Sequence, residues 1–449
     1  MKKFLATIVL GAAAGCVTSS TTTSTIQPGG TLIVADAALY EKARGIHDRV
    51  FTIDTHVDIP GNWSTTPQND ADSGTAQVTF RKMKQGGLDG AFFAVFVGQG
   101  PRTPAGDSAA KVAAMAKFNG IHRSVDTLYK DKIELAYEAS DVPKILAKGK
   151  LVAAIGIENG YVIGRDLSLI GKYYDLGARY MTLAHSSNND ICDSSTDQRG
   201  PEHNGLSPFG REVVREMNRV GMMVDVSHVS KQCMLQATAL STSPVIGSHS
   251  STAAIAAVPR NFDDEMLRAI AKNGGVMQTV AFASYVKVFP AERDSAIARL
   301  RAEFYPPDSI PLWRARADSA AGRVGGAGGG RGGGRGGGRG APPPHPTRQA
   351  EFDQRMSEIT AKYPPANIRD FGDHVDHAVK VAGIDHVGIS SDFDGGGGID
   401  GWNSATETFN VTLELVRRGY SEEDIGKIWS GNTLRVMEEV ERVAARLQR

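Results

Sequence analysis

Along Phe51–Pro60, FTIDTHVDIP, the apolar residues Phe51, Ile53, Val57 and Ile59 stand at alternate positions, with threonine, aspartate and histidine between them. A period of two predicts a strand with one face on a core. Comparable β-rich runs recur as VFTIDTHVD, DGAFFAVFVG, LVAAIGIENG, ARYMTLAHSS, GMMVDVSHVS, PVIGSHSS, GGVMQTVAFA and HVGISSDFDG. Most of the intervals carry helix-period segments. In SPFGREVVREMNRVG, Ser207 stands as N-cap, Pro208 opens the helix and Gly221 stops it. Eight strand–helix alternations predict a (β/α)8 TIM-type barrel. An open doubly wound sheet is the alternative, but no Gly-rich phosphate turn follows the first run.

The chemistry falls at one point of that rhythm. His56 and Asp58 end the first run, Glu158 the third, His185 the fourth, His228 the fifth, His249 the sixth and Asp392 the eighth. In a barrel these ends gather at the C-terminal face, where active sites lie. Singly, each has an ordinary reading. A strand-end histidine is usually a satisfied structural residue. Glu158 before Asn159-Gly160 can cap a turn, and Asp392 and Asp394 beside Gly395–Gly398 can serve loop geometry. Together, at corresponding ends, they define a site. Asp54 and Asp58 flank His56 with no basic residue beside them, so a buried cation of another kind is called for. Asp54 is expected on the same side of the strand, one step deeper, as support.

Imidazoles and carboxylates without thiolates suit zinc, ahead of manganese, iron or cobalt. The candidates exceed one tetrahedral site. Two metals use the whole set, His56 and Asp58 on one, His228 and His249 on the other, with Glu158 between. Such a pair lowers the pKa of a bridging water.

Composition narrows the classes. Fifty basic residues balance fifty acidic ones, so charge gives no argument for nucleic acid or an anionic membrane. A chain of 449 residues exceeds the usual single core unless that core is a barrel. Cys16, Cys192 and Cys233 are too few for a disulfide framework and lack zinc-finger spacing. Cys192, soon after His185, is read as a buried thiol or a pocket residue, and Cys233 as helix packing. In MKKFLATIVLGAAAGC, Lys2-Lys3 precede an apolar run too short for a mature membrane span but suited to a signal peptide. Small residues before Cys16 resemble a lipoprotein cleavage site, although Ala13 stands where leucine is usual; plain secretion is the alternative.

Residues 1–16 are therefore expected to be a signal peptide, 17–40 a polar tether and 41–449 the barrel. The expected location is the periplasm, with a lipid anchor through Cys16. The glycine/arginine-rich stretch Gly322–Pro346 falls in a disordered insertion, about 318–348, between the seventh and eighth strands. Arg-Gly-Gly repeats bind RNA inside cells, but behind an export signal a surface insertion is the better reading.

DTHVD, GIENG, LAHSSNND, VDVSH, GSHSS with PRN, and GISSDFDG, in this order, resemble the membrane dipeptidase (renal dipeptidase) family of zinc metallopeptidases in the amidohydrolase superfamily. The resemblance runs from about Ile46 to the C-terminus outside the insertion. It implies two zinc ions per subunit on His56, Asp58, Glu158, His228 and His249. Asp392 would be the acid/base residue, and His185 would stabilise the oxyanion at the scissile carbonyl. Arg260, eleven residues after His249, would grip the substrate's terminal carboxylate, with Asn261 orienting it. The implied activity is hydrolysis of a dipeptide, with a D-residue accepted at the C-terminal position, by a homodimer.

The seventh run, MQTVAFASYV, lacks the family's asparagine-rich stretch, so the pocket wall departs from the pattern there. His374 and His377, three apart on a helix, are read as structural rather than as a second metal site. Trp63 covers the site or closes the barrel mouth. Two other functions stay open: another amidohydrolase activity on an N-acyl amino acid, lactone or β-lactam, and an inactive peptide-binding lipoprotein.

Overall fold

A computed structural model of the chain describes residues 22–25, 33–304 and 348–449. Eight parallel strands follow one another around a single sheet: β1 (Ile53–Asp58), β2 (Gly90–Phe96), β3 (Leu151–Glu158), β4 (Ala178–Thr182), β5 (Met223–Asp225), β6 (Ile246–Ser250), β7 (Val276–Val280) and β8 (Val387–Ser390). The sheet curls until β8 meets β1. Val57 bridges Phe393, and the Asp58 N–H donates to the Phe393 carbonyl at 2.9 Å. The expected TIM-type barrel is the fold observed. A short strand, Ile133–Leu135, pairs with the lower end of β3 outside that circuit.

Parallel strands covered on both faces must be apolar on both. Ile53, Phe92, Val152, Ala154, Tyr180, Met223, Ile246 and Val276 fill the barrel's interior cluster, and the helix Asn432–Leu447 closes it with Val436, Met437 and Val440. The outer faces pack on helices such as Pro208–Val220, whose Phe209, Val213, Val214, Met217 and Val220 are buried. Its ends are as expected. Ser207 Oγ accepts from the Gly210 N–H at 2.8 Å, and Gly221 takes φ +94°. Trp63 packs against Phe80 and Phe93 in that outer layer rather than over the site.

β1 departs from simple alternation. Its register with β2 slips between Asp54 and Val57, so one extra residue is accommodated as a bulge. Below the slip Ile53 joins the interior cluster; above it Val57 and Ile59 join the outer one. The four alternate apolar residues therefore do not share a face, and Phe51 is exposed. Asp54 is consequently not one step deeper on the ligand side. Its Oδ1 accepts the N–H groups of His56 at 3.2 Å and Ser391 at 3.0 Å, which fastens the β1–β8 seam.

Residues 1–16 and 318–347 lie outside the described residues. Within 17–40, Thr22–Thr25 pair antiparallel with Ile33–Asp36, and a helix runs from Ala37 to His47. Helices Ala291–Phe304 and Gln349–Lys362, which flank segment 305–347, pack Leu300 and Phe304 against Phe352. His374 is buried between the Thr252 N–H, at 3.0 Å, and the Val286 carbonyl, at 2.9 Å; His377 pairs with Asp264 at 2.7 Å. Both are structural, as expected. Cys192 and Cys233 are buried free thiols. No helix among the described residues is long and apolar enough to cross a membrane.

Candidate metal centre

Glu158, the last residue of β3, is the hub of the C-terminal face. Its Oε1 lies 2.9 Å from His228 Nε2 and 3.4 Å from both His185 Nε2 and His249 Nε2. Its Oε2 lies 3.4 Å from His56 Nε2, which is 3.7 Å from Asp58 Oδ2. The Nε2 atoms of His228 and His249 are 2.7 Å apart. Three donor sets converge, each with its ligand atoms within 4.8 Å: His56–Glu158–His249, Glu158–His185–His228 and His56–Asp58–Asp392. Sharing Glu158 and His56 between sets suits two neighbouring cations. All seven strand-end residues singled out from the sequence thus meet at one place.

The donors are set for ligation. His56 Nε2 is buried without a hydrogen-bond partner among the described residues, a state that costs about 1–3 kcal/mol unless something takes its lone pair. Its Nδ1–H donates to Tyr180 Oη at 2.8 Å, and the Tyr180 hydroxyl donates to the Thr55 carbonyl at 3.0 Å. At His249 the order is similar. Ser248 Oγ gives its hydrogen to Asp225 Oδ2 at 2.6 Å, so His249 Nδ1 must donate to Ser248 Oγ at 2.8 Å. In the neutral form, both rings are therefore held in the tautomer that turns an Nε2 lone pair toward Glu158.

The backbone is strained around them. His228, Asp392 and Asp394 take φ of +66°, +57° and +63°, a left-handed region unusual for residues with side chains. Gly395 has to be glycine: a Cβ there would sit 2.3 Å from both Asp392 Oδ1 and Asp58 Oδ2. Asp394 accepts the N–H groups of Gln77 at 2.8 Å and Val78 at 3.1 Å, which ties the β8 loop to the segment after β1.

Against its burial, Tyr180, Glu158 and Asp58 hold His56 well above the ordinary imidazole value, so the carboxylates of this cluster draw a positive charge to it. Burial alone would raise Glu158, but the surrounding imidazoles, His56 foremost, hold it well below the usual carboxylate range. Burial drives His228 and His249 well below the ordinary imidazole value, so both are neutral and able to ligate. Asp392 is pushed well above the usual range by burial, with Asp58 and Glu158 adding to it.

Arg260 borders the cluster. Its Nη2 donates to the His249 carbonyl at 2.9 Å and its Nη1 to Ser250 Oγ at 3.3 Å, while the guanidinium lies over the Tyr285 ring at 5.2 Å. Asn261 Nδ2 donates to the carbonyls of Ala256 and Tyr285, both at 2.8 Å, and so braces the aromatic beneath Arg260.

Sequence reasoning missed four contributors. Tyr180 sits in an apolar run and reads as core. Asp225 carries a signal, a carboxylate inside the motif VDVSH. Gly395 is hidden among its neighbouring glycines. Lys117, on the helix Pro104–His122, looks like a solvated helix lysine, yet its side chain is only 12% exposed and its Nζ is 3.9 Å from Asp58 Oδ1.

A closed parallel barrel with imidazoles and carboxylates converging at its strand ends defines a metal-dependent hydrolase of the amidohydrolase type. The particular family follows from comparison with known proteins. The profile of the membrane dipeptidase family (peptidase family M19) matches residues 40–449, and the chain belongs to that family of metallo-dipeptidases. It is 31% identical over 373 residues to dipeptidase tcpJ of Claviceps purpurea (strain 20.1), covering 82% of this chain and 70% of that one. It is 29% identical over 383 residues to dipeptidase verJ of Clonostachys rogersoniana, covering 83% and 78%. The crystal structure of the probable dipeptidase PvdM from Pseudomonas aeruginosa superposes with a TM-score of 0.74 at 30% identity, covering 91% of this chain and 99% of that one. A metallopeptidase from Rhodobacter sphaeroides, crystallised with a phosphinate mimic of L-Ala-D-Ala, shares the fold with a TM-score of 0.60 at 19% identity, covering 87% of this chain and 99% of that one.

Proposed function

We propose that this protein is a zinc-dependent dipeptidase that binds two zinc ions per subunit and accepts a D-residue at the C-terminal position of its substrate. The observation that carries the reading is the Glu158 carboxylate set among four imidazoles, with His56 Nε2 left without a hydrogen-bond partner among the described residues. His56, Asp58, Glu158, His228 and His249 hold the ions; donors of nitrogen and oxygen without sulfur suit zinc. When bound, the pair supplies Lewis acidity and an activated water.

The remaining roles belong to the chain's own groups. Asp392, grouped with His56 and Asp58 and ionised beside bound cations, takes the proton of the attacking water and passes it to the leaving amine. His185, at 21% the most exposed of the four imidazoles, donates to the scissile carbonyl oxygen as negative charge develops. Arg260, anchored by the His249 carbonyl, grips the substrate's terminal carboxylate. Export to the periplasm on a lipid-modified Cys16 would put such an enzyme among peptides that carry D-residues.

A panel of L-L, L-D and D-L dipeptides, with N-blocked and C-amidated controls, tests this on wild type and Asp392→Asn. Metal-dependent cleavage of L-D peptides is expected, with loss of at least ~100-fold in kcat for the variant. Amidation is expected to raise KM. Amidated peptides cleaved as well as free ones would remove the role given to Arg260 and favour another amidohydrolase substrate.

A further inference from the structure

Lys117 has no part in the scheme above, yet it points into the same space. Its helix, Pro104–His122, buries Ala110, Ala114, Phe118 and Ile121, and Lys117 reaches the last residues of β1 and β2, Asp58 and Phe96. The side chain is 12% exposed, and its ion-pair partner Asp58 Oδ1, at 3.9 Å, is beyond hydrogen-bond reach. The ammonium also lies 5.5 Å from the Phe96 ring centroid, and that ring packs against His185 at 4.7 Å. Phe96 is the register partner of Glu158. Lys117 and Phe96 thus form one wall of the centre.

A nearly buried ammonium is costly unless an anion answers it. Burial lowers the pKa of the ammonium against Asp58 and Glu158, the carboxylates that face it, and both of these are assigned to the cations. With their charge committed there, Lys117 is left as a cation in want of a partner. Topology says which part of a substrate can supply one. Arg260 follows β6, whereas Phe96 ends β2, and in an eight-strand barrel these strands stand opposite each other. A dipeptide whose terminal carboxylate rests on Arg260 and whose peptide bond lies over Glu158 carries its amino-terminal residue toward Phe96 and Lys117.

We propose that Lys117 pairs with an acidic side chain on the amino-terminal residue, so that aspartyl and glutamyl dipeptides are the preferred substrate class. The stem of such a side chain lies on the Phe96 ring and its carboxylate meets the Lys117 ammonium. The assignment rests on the dipeptidase reading and on Arg260 holding the opposite end.

The test compares Glu-Ala with its neutral isostere Gln-Ala, and both with Ala-Ala, on the zinc-loaded full-length protein. Wild type is expected to favour Glu-Ala over Gln-Ala by about tenfold in kcat/KM, mostly through KM. Lys117→Met is expected to bring that ratio to about one, and Lys117→Arg to restore most of it. Calorimetric binding of the phosphinate analogues of the two peptides should give the same ratios without turnover. A lysine that merely steadied Asp58 would slow both peptides alike and leave the ratio where it was, which overturns the proposal. Equal cleavage of Glu-Ala and Gln-Ala by wild type overturns it too. In either case, continued hydrolysis of Ala-Ala by wild type leaves the dipeptidase reading standing, whereas no cleavage of any of the three removes both.

Discussion

At the scale of single residues, the ligands are the easy part and their supports the informative one. His56, Glu158, His228 and His249 announce themselves because imidazole and carboxylate at strand ends are rare and expensive. Tyr180 and Gly395 were silent, since a tyrosine in an apolar run and a glycine among glycines have common structural readings. Their contacts give them consequences. Tyr180→Phe removes the acceptor that fixes the His56 tautomer, so zinc affinity is expected to fall by about 10–100-fold, with about 1–3 kcal/mol of stability lost as the buried His56 Nδ1–H and Thr55 carbonyl lose their partner. Competition with a chromophoric chelator measures that, and an unchanged affinity would mean that the bond to His56 does not matter. Gly395→Ala drives a methyl into Asp58 and Asp392, and is expected to lose metal and activity together while the far end of the barrel stays folded.

At the scale of elements, the strands and their order were legible, because β-rich runs recur eight times with helix-period segments in most of the intervals. The bulge in β1 was not. Alternation in FTIDTHVDIP looks unbroken in sequence, and only the pairing with β2 reveals the extra residue that turns His56 and Asp58 inward above Ile53. The helix Ala37–His47 carries a separate consequence at its last residue. His47 Nε2–H donates to the Gly86 carbonyl at 3.0 Å, and its Nδ1 accepts from Thr412 Oγ1 at 2.7 Å, while Trp429 donates to that same hydroxyl at 3.0 Å. The network needs a neutral ring, and burial lowers its pKa from 6.5 to about 4.

Because the unfolded chain takes up this proton first, the stability owed to neutral His47 is complete above pH 6.5. It declines as pH falls toward 4, by up to about 3 kcal/mol. Denaturant unfolding at pH 7, 5 and 4 should therefore show a shallower acid decline for His47→Gln than for wild type. Parallel declines would show that His47 is not the group responsible.

At the scale of the whole molecule, closure is what gathers residues as far apart in sequence as His56 and Asp392. The Asp392 N–H donates to the His56 carbonyl at 3.2 Å, so the seam between the first and last strands is itself part of the site. Segment 305–347 enters and leaves through helices held together by Leu300, Phe304 and Phe352, and by Glu303 with Arg348 and Arg355. With both ends fixed side by side, replacing residues 310–343 by a short Gly/Ser link is expected to keep dipeptide turnover within about twofold, since loop-closure entropy changes little with length. A larger loss would assign that segment a part in the site.

The central claim is that the strand ends of this barrel hold two metal ions that make it a dipeptidase. Chelator-stripped protein titrated with zinc, with bound metal and L-Ala-D-Ala hydrolysis followed together, tests it most directly. Hydrolysis should be absent in the stripped protein and return as two equivalents bind, with neither binding nor activity restored in Glu158→Gln. Hydrolysis that survives complete stripping, or saturation without any hydrolysis, would contradict it.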